Sequence, residues 1–111
     1  MSRDQVYLQH ILDAIQKIEV YTAVGEVEFF ASTHWQDGVI RQLEIIGEAA
    51  KRLSEDLRER YSDIPWRRIC GLRDVLIHNY MGVDLNAVWE ITQTRIPGLR
   101  RDIELILREA E

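Results

Sequence analysis

The stretch RDVLIHNY contains the residues of this chain that are best suited to chemistry. His78 can take up or release a proton near neutral pH, and Arg73 carries a permanent charge whose forked N–H donors fit a phosphate group. The same stretch holds three further polar residues: Asp74, Asn79 and Tyr80. A proton-transfer group beside a phosphate-binding group suits the cleavage of a phosphodiester bond.

The spacing of these residues limits how one helix could bring them together. At about 100° per residue, Asp74 and His78 share one face of a helix, and Arg73 and Tyr80 share another. Arg73 and His78 lie about 140° apart, so a straight helix does not make them converge well. Either the long arginine side chain reaches round the helix, or two copies of the segment meet across a two-fold axis and one cleft collects both pairs.

A purely structural interpretation of this stretch stays open on spacing alone. Arg73 and Asp74 would then be surface charges, the ring nitrogens of His78 would have hydrogen-bond partners at a helix C-terminus, and Tyr80 would belong to the core.

Other chemistries have less support. No HExxH-like spacing links the three scattered histidines, no glycine-rich phosphate loop is present, and Cys70 has the pattern of a buried, inert thiol. We therefore expect neither a metal nor any other cofactor.

Three residues of the segment EIIGEAA raise the question of a wider site. Glu44 and Glu48 are four residues apart on one predicted helix, and Glu48 can pair with Lys51 or Arg52, so a solvated, salt-bridged face is favoured over a role in the site. Gly47 in the middle of this helix costs about 1 kcal/mol relative to alanine, which indicates a close approach of another helix.

Arg67 and Arg68 precede the RDVLIHNY stretch and leave two interpretations open. They could extend a positive rim toward Arg73, or they could be ordinary solvated charges. The formal net charge of −5 argues against broad nucleic-acid binding, because such binding neutralises many phosphates. Any RNA site must therefore be local.

The elements that position these residues are predicted to be helices throughout, and the fold class is an antiparallel all-α bundle of four to five helices. Apolar residues recur at steps of three and four from Tyr7 to Thr22, which indicates a first helix ending near Gly25. EVEFFAS predicts a short helix or turn. Thr33 and Gln36 have capping-box spacing and begin a second helix of about 28 residues, down to about Tyr61.

Two further helices complete the prediction. Pro65 lies near the first position of a third helix that runs to about Tyr80, and Asp84 is the N-cap of a fourth. Pro97 and the glycine after it should kink or break that fourth helix.

The length of 111 residues suggests one domain, residues 1–111, small enough to gain stability from a partner subunit. Because the N-terminus lacks the apolar run of a signal peptide or a membrane span, we expect a cytoplasmic protein that does not bind membranes.

RDVLIHNY matches the Arg-x4-His-x-Tyr motif of HEPN-domain ribonuclease toxins of the HepT kind, and the chain resembles that family over nearly its whole length. IIGEAAKRLSE followed by PWRRICGLRDVLIHNY looks like the family's pairing of segments. The resemblance implies a HEPN-like bundle that dimerises to form a ribonuclease cleft. It implies Arg73 and His78 as the catalytic pair, with Asp74 and Asn79 in support and no metal.

The resemblance also implies a toxin–antitoxin system. In this system a partner nucleotidyltransferase of the MntA kind neutralises the toxin by attaching AMP to Tyr80. RNA is the expected substrate, with tRNA as a candidate by family analogy. Two alternatives are a non-catalytic helical adaptor or nucleotide-binding subunit that partners a small nucleotidyltransferase, and a purely structural dimer.

Overall fold

The computed structural model describes residues 2–72, 74 and 84–110, and every regular element among them is an α-helix. In chain order these helices are α1 (Arg3–Thr22), α2 (Glu26–Ala31), α3 (Thr33–Lys51), α4 (Glu55–Arg60), α5 (Trp66–Cys70), α6 (Leu85–Thr94) and α7 (Ile96–Glu109). The predicted all-helical class is confirmed. The described residues hold more helices than predicted, because the long patterns are interrupted by short turns.

The three long helices α1, α3 and α7 form an antiparallel bundle. At one end, the Asp4 carboxylate of α1 accepts hydrogen bonds from the backbone N–H and the hydroxyl of Ser54, just beyond the end of α3. At the other end, the Tyr21 ring lies against Gly38 near the start of α3. Arg100 in the first turns of α7 pairs with Glu19 near the end of α1. Both α3 and α7 therefore run opposite to α1.

The core lies between these helices, as the three- and four-residue periodicity predicted. α6 packs against α1, α3 and α7, and α2 packs against α3. Burying one such aliphatic side chain contributes roughly 1.5–3 kcal/mol. Large side chains with almost no exposed surface include Leu8, Ile11, Ile15, Ile18, Phe29, Leu43, Ile46, Ile103 and Ile106.

The prediction of one helix from Thr33 to about Tyr61 is wrong. α3 ends at Lys51, and α4 starts after Ser54, whose hydroxyl accepts a hydrogen bond from the Leu57 amide at 3.2 Å. The same hydroxyl donates to Asp4 Oδ2 at 2.6 Å. The break is thus stabilised by a cap and by a residue 50 positions away, while Leu57 is buried.

The start of α3 is at Thr33 as expected, but the capping box is not formed. Ser32 occupies the cap position without a side-chain hydrogen bond. The Gln36 amide instead donates to the backbone carbonyls of Phe29 and Phe30, at 3.0 and 3.2 Å. Gln36 therefore joins α2 to α3, and the predicted short helix in EVEFFAS is confirmed as α2.

The predicted boundaries at Asp84 and Pro97 are confirmed. The Asp84 carboxylate caps α6 by accepting from the amides of Asn86 and Ala87, at 3.1 and 3.2 Å. α6 ends before Arg95, and Pro97 lies in the first turn of α7, where its missing N–H costs no hydrogen bond. Within the described ranges, no helix is both long enough and apolar enough to cross a bilayer.

Candidate functional site

Helix α5 leads into the RDVLIHNY segment and is firmly anchored. Trp66 is buried, and its indole N–H donates to the backbone carbonyl of Tyr61 at 3.1 Å. The Ile69 side chain is buried, and its amide donates to the Pro65 carbonyl at 3.1 Å. Pro65 directly precedes the first helical residue, as predicted. The chain thus enters the segment from a fixed position.

α3 supports α5 at Gly47. A Cβ atom on Gly47 would lie 3.4 Å from the carbonyl oxygens of both Ile69 and Cys70. This distance is an ordinary van der Waals contact for a methyl group and leaves no room for a larger side chain. The interpretation of Gly47 as a site of close helix approach is therefore confirmed.

The predicted third helix is interrupted within its first two turns. α5 ends at Cys70, and Gly71 forms a turn whose amide donates to the Arg67 carbonyl at 3.1 Å. Helical conformation resumes at Leu72, which is only 4% exposed, and Asp74 is helical and exposed. An exposed Asp74 fits both a supporting polar role and an ordinary surface charge.

Four of the five predicted site residues lie outside the described residues: Arg73, His78, Asn79 and Tyr80. Their roles therefore stay predictions. What the structure provides is the frame on both sides of the segment, with Leu72 buried before it and the capped start of α6 after it.

A cavity of about 260 Å³ opens beside the start of this segment, between α5, α6 and α7. Its walls are mainly apolar, and its polar lining side chains are Arg68, Arg95 and Asp102. Arg68 was one of the two arginines singled out from the sequence, whereas Arg95 and Asp102 were missed. The break predicted at Pro97 was the available signal, because it places Arg95 between α6 and α7 and Asp102 in the second turn of α7. The residues lining the cavity are Pro65, Arg68, Ile69, Leu72, Ile91, Arg95, Ile96, Gly98, Leu99 and Asp102.

Arg67 and Arg68 diverge. Arg68 faces the cavity just described, whereas Arg67 lies on a different surface together with Cys70 and Arg58.

Cys70 is partly exposed, so its expected burial is incomplete. In the described part of the chain, no three His, Cys, Asp or Glu side chains converge closely enough to hold a metal ion.

Glu44 and Glu48 line a groove between α1 and α3, and no residue of α5 lines it. Two arginines, Arg41 and Arg52, share the groove, so its carboxylates and guanidinium groups balance. Glu48 also pairs with Lys51 at 3.7 Å, and both side chains are about half exposed. This arrangement supports the solvated, salt-bridged interpretation of the two glutamates.

Comparison with known proteins identifies the family. A family model described as Ribonuclease HepT-like matches residues 11–106. A Thermococcus cleftensis protein named "Probable ribonuclease HepT" is 40% identical over 99 residues, which cover 88% of this chain and 90% of that protein. A Caldanaerobacter subterraneus protein named "Putative RNase" is 37% identical over 110 residues, which cover 98% of each. This chain belongs to the ribonuclease HepT-like family, and the resemblance noted from its motif is confirmed.

One relative is about twice as long as the region that matches this chain. A Methanocaldococcus jannaschii protein named "Gamma-glutamylcyclotransferase and putative RNase" is 46% identical over 108 residues, which cover 96% of this chain and 49% of that protein. The chain thus spans about half the length of that relative. No solved structure matches the chain significantly.

Proposed function

We propose that this chain is a metal-independent endoribonuclease in which Arg73 and His78 form the catalytic pair. The observation that carries the proposal is the match to the ribonuclease HepT-like family over residues 11–106, a range that contains the whole RDVLIHNY motif. The anchoring of α5 adds support, because a rigid element just before a catalytic residue helps to hold that residue in the geometry that the reaction needs.

The proposed reaction is an internal transesterification of RNA. The ribose 2′-oxygen attacks the adjacent phosphorus, and the bond from phosphorus to the 5′-oxygen of the next nucleotide breaks. The 2′-OH proton is removed and a proton is given to the leaving 5′-oxygen, which leaves a 2′,3′-cyclic phosphate and a 5′-hydroxyl. His78 moves these protons, and the permanent charge of Arg73 stabilises the phosphorane. Asp74 and Asn79 support the pair with hydrogen bonds.

The proposed working form is a homodimer acting in the cytoplasm as the toxin of a toxin–antitoxin system, with tRNA as a candidate substrate. A partner nucleotidyltransferase neutralises it by adding AMP to Tyr80. In that step the phenol oxygen attacks the α-phosphate of ATP, pyrophosphate leaves, and the phenol proton is released. The added phosphate places negative charge in the same segment as Arg73 and competes with RNA for its guanidinium group.

The experiment that separates this function from a non-catalytic adaptor is an RNA digestion with pure protein in excess EDTA. We expect internal cleavage, products that end in 2′,3′-cyclic phosphate, and no cleavage of the same sequence made as DNA. Intact RNA after incubation with the dimeric, folded protein would favour the adaptor. Cleavage that requires added Mg²⁺ or Mn²⁺ would contradict the metal-independent mechanism.

The toxin role is tested by expression in cells. We expect growth to stop when the wild-type chain is expressed, and to continue with His78→Ala or when the nucleotidyltransferase is expressed together with the wild type. Equal growth inhibition by wild type and His78→Ala would contradict a toxicity based on RNA cleavage.

A further inference from the structure

The cavity between α5, α6 and α7 has two exposed arginines at its edge whose charges are not neutralised by ion pairs with any described residue. Arg68 comes from α5, and Arg95 lies at the turn between α6 and α7. Neither forms a salt bridge within the described ranges, whereas Arg100 nearby in sequence is paired with Glu19 and Glu104. Two free guanidinium groups at one opening form a local site for negative charge.

A third guanidinium group lies near the cavity without lining it. The Arg101 guanidinium lies 3.7 Å from the position that a Cβ atom on Gly98 would occupy, and Gly98 lines the cavity. The whole chain carries a formal charge of −5, so this concentration of positive charge runs against the average of the molecule. It meets the requirement that any phosphate-binding site on this protein be local.

The floor of the cavity is apolar. Its buried side chains come from all three surrounding helices and from the residue before the motif: Ile69, Leu72, Ile91, Ile96 and Leu99. The volume of about 260 Å³ is just below the range of roughly 300–1,000 Å³ typical of small-molecule sites. A cavity of this volume has room for one base, and the two arginines that line it, Arg68 and Arg95, are exposed.

The cavity adjoins the proposed catalytic segment along the chain. Leu72 lines it and directly precedes Arg73 in the chain. The nucleotide that occupies the cavity and the phosphate that reaches Arg73 would thus be near neighbours in the RNA strand.

We propose that this cavity binds one nucleotide of the RNA substrate beside the cleaved bond, an inference that rests on the proposed ribonuclease function. The base lies on the apolar floor, and Arg68 and Arg95 hold the adjoining phosphates. The Asp102 carboxylate accepts hydrogen bonds from the base. Guanine is the preferred base, because only its Watson–Crick edge presents two adjacent N–H donors to a carboxylate.

The binding test uses a fluorescein-labelled 2′-O-methyl RNA dodecamer, which cannot be cleaved because its 2′-oxygens are blocked. Its dissociation constant is measured by fluorescence anisotropy at several salt concentrations. Arg68→Gln and Arg95→Gln should each weaken binding by about tenfold, the loss expected for one charge-assisted hydrogen bond. Each should also reduce the steepness of the plot of log association constant against log salt concentration by about 0.7. The control Arg108→Gln removes the same charge from an exposed position outside the cavity and should change neither value.

The base preference is tested with Asp102→Asn. Nucleoside 5′-monophosphates compete with the labelled RNA, and GMP should compete best against the wild type. The variant should lose the preference for GMP over AMP, CMP and UMP, because one of the two acceptor oxygens is replaced by an NH2 donor that faces an N–H of the guanine edge. An equal ranking of the four monophosphates with the wild type would overturn the assignment of Asp102.

Cleavage assays on the same proteins keep this inference separate from the proposed function. If the wild type cleaves RNA and His78→Ala does not, but Arg68→Gln and Arg95→Gln bind and cleave like the wild type, the nucleotide site is wrong and the ribonuclease stands. If the wild type cleaves no RNA but the two arginine variants still bind RNA more weakly, the ribonuclease is wrong and the cavity stands as an RNA site.

A protein partner on this surface would give a different result. The circular dichroism melt of each variant should match that of the wild type, because both arginines are exposed. Loss of self-association in sedimentation with unchanged RNA affinity would show that Arg68 and Arg95 serve a subunit interface, and would overturn the proposal.

Discussion

Tyr61, a tyrosine outside the RDVLIHNY segment, provides a control that makes the proposed modification of Tyr80 testable at the level of single residues. Tyr61 donates a hydrogen bond to the Glu109 carboxylate at 2.9 Å. This bond, with some burial, raises the pKa of the Tyr61 phenol above its ordinary value. A phenol held in this way keeps its proton more firmly and is a weaker nucleophile.

Tyr80→Phe should abolish modification by the partner nucleotidyltransferase, while Tyr61→Phe should be modified like the wild type. Each protein is incubated with the enzyme, ATP and Mg²⁺, and its intact mass is measured. We expect a gain of one or more AMP units on the wild type and on Tyr61→Phe, together with a loss of RNA cleavage. A normal mass gain and normal neutralisation of Tyr80→Phe would show that Tyr80 is not the switch.

At the level of helices, residues that act within one turn predicted the helix boundaries better than apolar periodicity over a long segment did. Asp84 and Pro97 act within one turn of their own position, so the start of α6 and the break before α7 could be predicted from the sequence. The end of α3 could not, because Ser54 is held by Asp4, which is distant in sequence. The turn at Gly71 was also missed, since the apolar period continues through it to buried Leu72.

The contact of α3 with α5 at Gly47 gives a test at this level. Gly47→Ala should keep or slightly raise the free energy of unfolding, because alanine gains about 1 kcal/mol of helix propensity and its methyl group just fits. Gly47→Leu should destabilise the fold by roughly 1–3 kcal/mol and reduce RNA cleavage, because the larger side chain must displace the α5 carbonyls.

Both changes are measured by urea unfolding and by cleavage rate on the same preparations. A Gly47→Leu protein with wild-type stability and wild-type cleavage would show that α3 does not fix the position of α5.

At the level of the whole molecule, the sequence predicted the antiparallel bundle and most of its core, but only part of the candidate site. Periodicity identifies which face of a helix is buried, and so placed Ile15 of α1 correctly. It does not show which exposed residues of different helices meet, and so Arg95 and Asp102 were missed at the cavity. The pairing of Arg73 with His78 stays a prediction from the motif.

Whether one cleft uses residues from two copies can be tested by mixing inactive variants. If Arg73 of one subunit acts with His78 of its partner, a mixed dimer of Arg73→Ala and His78→Ala contains one intact pair and one empty pair. Random exchange should then restore about a quarter of the wild-type activity.

Sedimentation of the separate variants provides the control, since both should form dimers like the wild type. A mixture that exchanges subunits but stays inactive would show that Arg73 reaches His78 within one subunit. A monomer that is fully active would contradict the shared cleft altogether.

The most direct test of the central claim is the single-turnover rate constant for cleavage of one defined RNA in excess EDTA. We expect His78→Ala to lower this rate constant by about 10²–10⁴-fold, since it removes proton transfer, and Arg73→Ala by about 10²–10³-fold, since it removes charge stabilisation. Both variants should keep wild-type helicity and melting temperature. Folded variants that cleave at the wild-type rate would contradict the assignment of this pair as the catalytic residues.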